Sequence, residues 1–293
     1  MTSSFVSADY LLNDSSVSKI HKRIRFCTFV ERQKKTILIA YPRLRAQFSH
    51  NLYATQGRRV VRNYANLSKR EFDELLKQNQ LKICLVGMSN CGKTLRSLQL
   101  AQQFGFERFC VDDKIEQEIS NILQQQGYSC GIEGVAKWMG YPFEERFYQN
   151  QAIYLNYENQ LTYQATQVAG QTNRSFVLDT TGSVIYLERE TQDIINETFL
   201  VVHLEASEDM LQEMVRLYFE APKPVIWGDR FQPFPNEDGL TALKRCYPQL
   251  LRYRLKKYQQ FAHCSVPASV SMNSAFEIDK FVEKIRERLP RDR

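Results

Sequence analysis

The sequence predicts an α/β fold of three layers, α/β/α, with a mainly parallel sheet, a phosphate-binding loop and a basic N-terminal extension. Short apolar runs that suit buried strands alternate with longer runs that suit helices, and this alternation is typical of parallel sheets. A glycine-rich loop at residues 87–94 directly follows the first of these strands. The 293 residues are 43% hydrophobic and 25% charged, enough for one large domain with a sizeable core. This composition excludes a collagen, a wholly disordered chain and a disulfide-stapled miniprotein.

The predicted elements follow in order from a capping box. Ser68 and Glu71 form an S-x-x-E pattern, which predicts a short helix ending at Leu76. Further strands are predicted from apolar runs at residues 81–86, 108–112, 175–179, 199–204 and 264–270. Further helices are predicted at residues 95–101, 113–125, 144–169, 208–219 and 248–261. A second capping box at Ser274 and Glu277 predicts the final helix, which presents one apolar face up to Leu289.

Charge separates the N-terminal extension, residues 1–66, from the predicted domain, residues 67–293. The extension holds twelve Lys and Arg against three acidic residues, a net charge of +9, whereas the remainder has a net charge of −3. An extension of this composition is poorly ordered, a nucleic-acid tail or an organelle transit segment. A transit segment over residues 1–64 would imply a mitochondrial or plastid location and the organelle import machinery as a partner. Without one, we expect an intracellular, cytoplasmic protein.

The cysteines and the apolar runs further restrict the class of protein and its expected partners. Seven cysteines, odd in number and without a C-x-x-C pair, suit reduced thiols inside a cell and form no metal-ligand pattern. No apolar run approaches the roughly 18 residues that a membrane helix needs. We therefore expect no membrane partner, and the mildly acidic body makes nucleic acid an unfavoured partner.

The strongest motif is a complete G-x-x-x-x-G-K-[ST] sequence between a predicted strand and a predicted helix. Backbone N–H groups of such a loop converge on phosphates, its Lys contacts the β/γ-phosphates, and its hydroxyl ligates Mg²⁺. The motif therefore predicts an ATP site with Mg²⁺ as cofactor. The ATP-binding residues would be Gly87, Met88, Ser89, Asn90, Cys91, Gly92, Lys93 and Thr94.

Carboxylates at the ends of neighbouring strands complete the predicted site. Asp179 ends an apolar strand and begins a D-x-x-G pattern that closes at Gly182, so we expect it to join Thr94 at the metal. Asp112 and Asp113 end the strand that follows the helix after the phosphate-binding loop and are the other candidates. The alternative interpretation of Asp113 is a helix N-cap.

A lid over the phosphates is predicted at about residues 216–239. Prolines and Gly228 prevent a continuous helix there, and Arg216, Lys223 and Arg230 supply cations. A cation that arrives over the γ-phosphate as water is excluded would assist phosphoryl transfer. The alternative is a solvated basic loop.

These residues together resemble the shikimate kinases, which belong to the nucleoside-monophosphate-kinase-like branch of P-loop proteins. The resemblance runs from about residue 81 to 289 and is specific in the phosphate-binding loop and near the C-terminus. It implies that Asp112 holds the acceptor hydroxyl, that Lys223 stands for the lid arginine, and that Gly182 lines the acceptor site. Arg254, in an R-x-x-x-Y-x-x-x-A pattern, would grip the acceptor carboxylate.

The chain departs from the family pattern at the acceptor pocket. Cys110 stands where the family has the first Asp of Asp-x-Asp, and Thr180-Thr181-Gly182 replaces a triple glycine. Leu155 aligns with a second carboxylate-binding arginine, whose loss would remove a charge-assisted bidentate contact.

The sequence thus predicts an ATP-dependent small-molecule kinase with an alcohol group as acceptor. Its catalytic residues would be Lys93, Asp112, Lys223 and Arg216, and its substrate-binding residues Asp112, Arg254 and Gly182. The acceptor would be a small anionic metabolite. One alternative is a degenerate, ATP-binding regulatory protein, which Cys110 and Leu155 motivate; another is a nucleic-acid 5′-hydroxyl kinase that uses the basic extension.

Overall fold

The computed structural model describes residues 64–291, so the predictions made for residues 1–63 lie outside the described residues. Residues Tyr64–Asn66 form a single 3₁₀ turn in which Tyr64 is buried. The folded part therefore includes the last three residues that the sequence assigns to the extension. The second 3₁₀ turn in the described range is Val184–Tyr186.

The helices and strands of the described residues alternate as predicted. The strands are β1 Lys82–Val86, β2 Glu107–Cys110, β3 Phe176–Asp179, β4 Leu200–Glu205 and β5 Cys264–Pro267. The helices are α1 Lys69–Lys77, α2 Lys93–Phe104, α3 Val111–Gln125, α4 Ile132–Met139, α5 Phe147–Gln171, α6 Arg189–Thr198, α7 Glu208–Glu220, α8 Gly239–Phe261, α9 Ala268–Ser271 and α10 Ile278–Glu287.

The five described strands form one parallel sheet in the order β2-β3-β1-β4-β5. The two strands on either side of β1 run through the centre, and β1 itself is buried from Ile83 to Val86. The predicted fold class, a P-loop α/β fold with a parallel sheet, is confirmed. Because all strands are parallel, their carboxyl ends lie at one edge of the sheet, and ligands in such folds bind outside that edge.

The elements differ from the sequence prediction at several places. Strand β2 ends at Cys110, which is the N-cap of α3, so Asp112 and Asp113 lie in the first turn of that helix; Asp112 does not end a strand, and the interpretation of Asp113 as an N-cap is wrong. Helices α4 and α6 were not predicted.

Helix α8 begins at Gly239, capped by the Asp238 side chain, so Pro248 lies inside the helix instead of beginning it. The last strand ends at Pro267, where α9 begins, earlier than the predicted residue 270. Among the described residues, none of the helices combines the length and the apolar character that crossing a membrane requires.

Candidate active site

The phosphate-binding loop connects the buried end of β1 to the first turn of α2. The Lys93 ammonium group donates hydrogen bonds of 2.9 Å to the carbonyl oxygens of Gly87 and Met88. Gly92 has a φ of +85°, and a Cβ atom built on it would lie 2.5 Å from the backbone oxygen of Ser271. Only glycine tolerates both this conformation and this close approach, so the geometry explains the second glycine of the motif.

A buried arginine holds the loop against the segment that follows β5. The Arg96 side chain is fully buried in α2. Its guanidinium group donates to four backbone carbonyl oxygens at 2.7 to 3.0 Å, those of Val270, Ser271, Asn273 and Phe276. The Ser271 hydroxyl in turn donates to the Cys91 carbonyl at 2.6 Å. These bonds fix the start of α2, whose N–H groups face the expected phosphates.

Asp179 lies at the end of β3, paired with an arginine. It is buried, with 1% of its surface exposed, and its Oδ2 accepts from Arg108 and from the Ser97 hydroxyl, each at 2.9 Å. Arg108 also donates to the Ser97 hydroxyl at 2.8 Å. The carboxylate expected at the metal therefore already has a cation and a hydroxyl on one of its oxygens.

Asp112 lies in the first turn of α3, and its carboxyl is directed into the cavity described below. Burial raises the pKa of Asp112 to about 6, and the nearby charge of Lys93 opposes this rise. The Tyr154 hydroxyl donates to Asp112 Oδ1 at 3.4 Å. At neutral pH the Asp112 side chain is mostly a carboxylate. Because its pKa is near neutral pH, it is suited to take a proton from an acceptor hydroxyl.

A buried glutamate, which the sequence reasoning did not identify as a site residue, supports the loop after Asp179. Glu158 of α5 is fully buried and accepts from the hydroxyls of Thr181 and Ser183, the latter at 2.5 Å. Burial raises the pKa of Glu158 to about 7. Between these two residues, the Gly182 carbonyl accepts from the Tyr258 hydroxyl at 2.5 Å. The available sequence signal was an alignment. Glu158 lies three residues after Leu155, where the Arg-x-x-Glu pattern of the family that the sequence resembles has its glutamate.

Arg254 of α8 is buried beside Gly182. Its Nη2 donates to the Ile226 carbonyl at 2.5 Å, and its Nε is buried with no hydrogen-bond partner among the described residues. A Cβ atom built on Gly182 would lie 3.6 Å from Arg254 Nη1 and 3.6 Å from the backbone nitrogen of Ser89. Gly182 therefore lies between the phosphate-binding loop and the arginine.

The lid segment between α7 and α8 brings one of its three predicted cations to the loop. The Lys223 ammonium group donates to Asn90 Oδ1 at 2.7 Å. Arg216 lies on the exposed face of α7, where it pairs with Glu213 at 2.6 Å and Glu220 at 2.5 Å. The structure therefore does not bring Arg216 to the site, because acidic residues of its own helix hold it.

The rest of the lid is anchored in the core. Trp227 is fully buried, and the backbone N–H groups of Trp227 and Gly228 donate to Gln151 Oε1 at 2.7 and 3.2 Å. Arg230 pairs with its neighbour Asp229 at 2.7 Å. The full burial of Trp227 shows that it packs in the core of the lid segment.

One cavity of about 320 Å³ unites most of the predicted site. Residues of the phosphate-binding loop line it, together with Asp112, Gly182, Lys223 and Arg254. Arg216 and Asp179 are not among its lining residues. Within residues 64–291, the cavity included, no group of three or more His, Cys, Asp or Glu side chains is placed to hold a metal ion.

Comparisons with known proteins give likenesses in fold. No family model matches the chain, and no curated protein matches it. The shikimate kinase of Acinetobacter baumannii, solved in complex with shikimate, is 20% identical over 73% of this chain and 94% of that chain, with a TM-score of 0.46. The shikimate kinase of Bacteroides thetaiotaomicron is 16% identical over 71% and 97%, with a TM-score of 0.45.

A deoxyadenosine kinase also resembles the chain. The enzyme of M. mycoides, solved with bound dATP, is 14% identical over 70% of this chain and 98% of that chain, with a TM-score of 0.37. Likenesses at these values carry no argument about a substrate. The chain's own strand order and its phosphate-binding loop give it a fold of the P-loop, nucleoside-monophosphate-kinase-like type.

Proposed function

We propose that this protein is an ATP-dependent small-molecule kinase, with chemistry resembling that of shikimate kinase. It would transfer the γ-phosphoryl group of Mg²⁺-ATP to a hydroxyl group of a small anionic acceptor. The observation that carries the proposal is the shared cavity, which is lined by the phosphate-binding loop, Asp112, Lys223 and Arg254. Phosphoryl transfer depends mainly on positioning and on charge stabilisation, and these groups supply both.

Each residue has a role that its position supports. The loop amides and Lys93 hold the β- and γ-phosphates, for which Lys93 would exchange its bonds to two loop carbonyls. Asp112 orients the acceptor hydroxyl and takes its proton as the new oxygen–phosphorus bond forms. The bond between the γ-phosphorus and its bridging oxygen breaks, ADP leaves, and Lys223 closes over the transferred group. Arg254 binds the anionic group of the acceptor.

Mg²⁺ would supply charge neutralisation between the phosphates. The exposed Thr94 lines the cavity, so its hydroxyl fits the role of a metal ligand. Asp179 fits a direct contact less well because Arg108 and Ser97 already bind its Oδ2. Its predicted role as a metal ligand stays a prediction.

The proposal is tested by ADP release from Mg²⁺-ATP by the full-length chain, with shikimate as the first acceptor. Lys93→Ala should abolish turnover, whereas Lys77→Ala, an exposed lysine of α1, should leave it unchanged. Thermal unfolding of both variants separates loss of the site from loss of the fold. Undiminished, acceptor-dependent turnover in a folded Lys93→Ala variant would refute the assignment.

A second candidate, the degenerate ATP-binding protein, is favoured by the pairing of Asp179 with Arg108. It predicts ATP binding that requires Lys93, measured by calorimetry, with no ADP release for any acceptor. The proposed function predicts release with at least one hydroxylated anion, so the two are separable by the same protein samples.

A further inference from the structure

We infer that the acceptor has one anionic group, one reactive hydroxyl and an otherwise apolar, flat body, in contrast to a polyhydroxylated acid. The inference rests on the proposed function and concerns the acceptor half of the same cavity. Three features of that half support it: a single cation, an apolar wall, and hydroxyl groups that already have partners.

Arg254 is the cation available to an acceptor. Its Nη2 is bound to the Ile226 carbonyl, whereas its buried Nε has no partner among the described residues, which leaves donors for one anionic group. Position 155, where the family pattern has a second arginine, is a leucine packed against the core. The other lining cations, Lys93 and Lys223, bind the phosphate-binding loop itself.

An apolar wall is continuous with Arg254. Tyr247 and Leu251 lie seven and three residues before it, on the same face of α8, and both line the cavity. Tyr218 of α7 stacks on Tyr247 with ring centroids 4.1 Å apart and also lines it. Further apolar lining residues are Met214, Leu217, Val225 and Ile226. A flat apolar body would remain in contact with this wall after its anionic group binds Arg254.

The hydroxyls of Thr181 and Ser183 and the carbonyl of Gly182, in the loop beside Arg254, already have protein partners. Ser183 and Thr181 donate to Glu158, and the Gly182 carbonyl accepts from Tyr258. The Tyr154 hydroxyl donates to Asp112, which leaves that carboxylate to orient one acceptor hydroxyl. Each extra hydroxyl on the acceptor would lose its water at the wall without gaining an equivalent bond, which costs on the order of tenfold in kcat/KM.

Three acceptors of similar size test the inference with the full-length chain and Mg²⁺-ATP. The first is 4-(hydroxymethyl)benzoate, which has one alcohol, a flat ring and one carboxylate. Shikimate keeps the carboxylate but carries three hydroxyls, and 4-methylbenzyl alcohol keeps the ring and the single alcohol but has a methyl group in place of the carboxylate. We expect kcat/KM for 4-(hydroxymethyl)benzoate to exceed each of the other two by about tenfold or more.

A pair of arginine variants tests the role of the single cation. Arg254→Met should reduce kcat/KM for 4-(hydroxymethyl)benzoate to the level of the uncharged 4-methylbenzyl alcohol. Arg252→Met should leave the preference intact, since Arg252 lies on the outer face of the same helix and pairs with Glu208. If Arg254→Met does not fold, the comparison of the three acceptors on the unaltered protein decides the inference alone.

The outcomes separate the inference from the proposed function. Shikimate equal to or better than 4-(hydroxymethyl)benzoate would overturn the inference while supporting the kinase. Lys93-dependent ATP binding with no turnover of any of the three would overturn the inference about the acceptor. Absence of ATP binding would overturn the proposed function itself.

Discussion

Replacing Glu158 by glutamine should change how the stability of the protein depends on pH. Glu158 is fully buried, and desolvation raises its pKa from 4.5 to about 7, although the hydroxyls of Ser183 and Thr181 oppose the rise. Asp112 adds to the rise and Arg254 opposes it. Glutamine has the shape of the protonated glutamate and does not titrate, so it imitates the form that the folded protein prefers.

The direction and the size of this change in stability follow from the linkage between proton binding and folding. Because the folded pKa lies above the unfolded value, the folded protein holds the proton more strongly between pH 4.5 and 7, and the glutamate lowers stability as the pH rises through that window. A difference of two to three pH units corresponds to about 3 kcal/mol. The free energy of unfolding of Glu158→Gln minus that of the unaltered protein should therefore increase by about 3 kcal/mol across the window.

Urea unfolding at pH 5, 6, 7 and 8 measures this difference. Asp112 and His203 also titrate with shifted pKa values, but both are present in the two proteins, so their contributions largely cancel. Glu190→Gln, at an exposed position of α6, is the matched control and should give a difference that is flat with pH. A flat difference for Glu158→Gln as well, or one that decreases as the pH rises, would refute the reasoning.

Three further predictions concern the loop and its surroundings. Gly92→Ala should destabilise the protein by about 3 kcal/mol more than Gly105→Ala in urea unfolding, because both glycines have positive φ but only a Cβ at Gly92 meets the Ser271 oxygen; equal effects would contradict the close approach. Arg96→Met should cost about 3 kcal/mol by the same measurement, since it removes the guanidinium donor from four carbonyl oxygens, of which only that of Asn273 keeps another donor within the described residues, the Phe276 N–H. The kcat/KM for any accepted substrate should rise as the pH increases through about 6, where burial places the pKa of Asp112, and Asp112→Asn should remove that rise.

Local patterns predicted the fold and the phosphate-binding loop because each depends on neighbouring residues. The capping box at Ser68 is confirmed: its hydroxyl accepts from the Glu71 N–H, and Glu71 accepts from the Ser68 N–H. The second box is wrong, since Glu277, not Ser274, is the N-cap of α10. There Asn273 caps the preceding turn by accepting from the Ala275 N–H. Glu277 makes no side-chain capping hydrogen bond, so the reciprocal bonds that the four-residue pattern predicts do not form here.

The supports of the site escaped prediction because their partners are distant in sequence. Arg96 looks like a surface residue of an amphipathic helix, but its acceptors are backbone carbonyls 174 to 180 residues later. Glu158 lies 23 and 25 residues before the hydroxyls that it binds. Backbone carbonyls leave no mark in a sequence, so nothing in the residue types alone could have indicated the first of these networks.

Three register partners lie at or next to the carboxyl ends of neighbouring strands. They are Leu85 of β1, Asp179 of β3 and Cys110 of β2. A carboxylate at position 110 would stand roughly 5 Å from Asp179, where two like charges would need a shared cation. Burial instead raises the pKa of the Cys110 thiol to about 12, so Cys110 stays neutral. Asp179 is thus the carboxylate among these three partners, and the guanidinium of Arg108 balances it.

The neutral thiol of Cys110 and the ion pair of Asp179 with Arg108 affect how Mg²⁺ would be bound. Mg²⁺ bound at Asp179 Oδ2 would have to displace Arg108 or share that oxygen, and both are costly for a buried charge pair. Mg²⁺ in nucleotide sites is held largely by substrate phosphates and water, with few protein ligands. In this chain we expect the cation to depend mainly on the phosphates of ATP and on the Thr94 hydroxyl, and a contact with Asp179 stays a prediction. The ion pair between Arg108 and Asp179 joins β2 to β3 beside them.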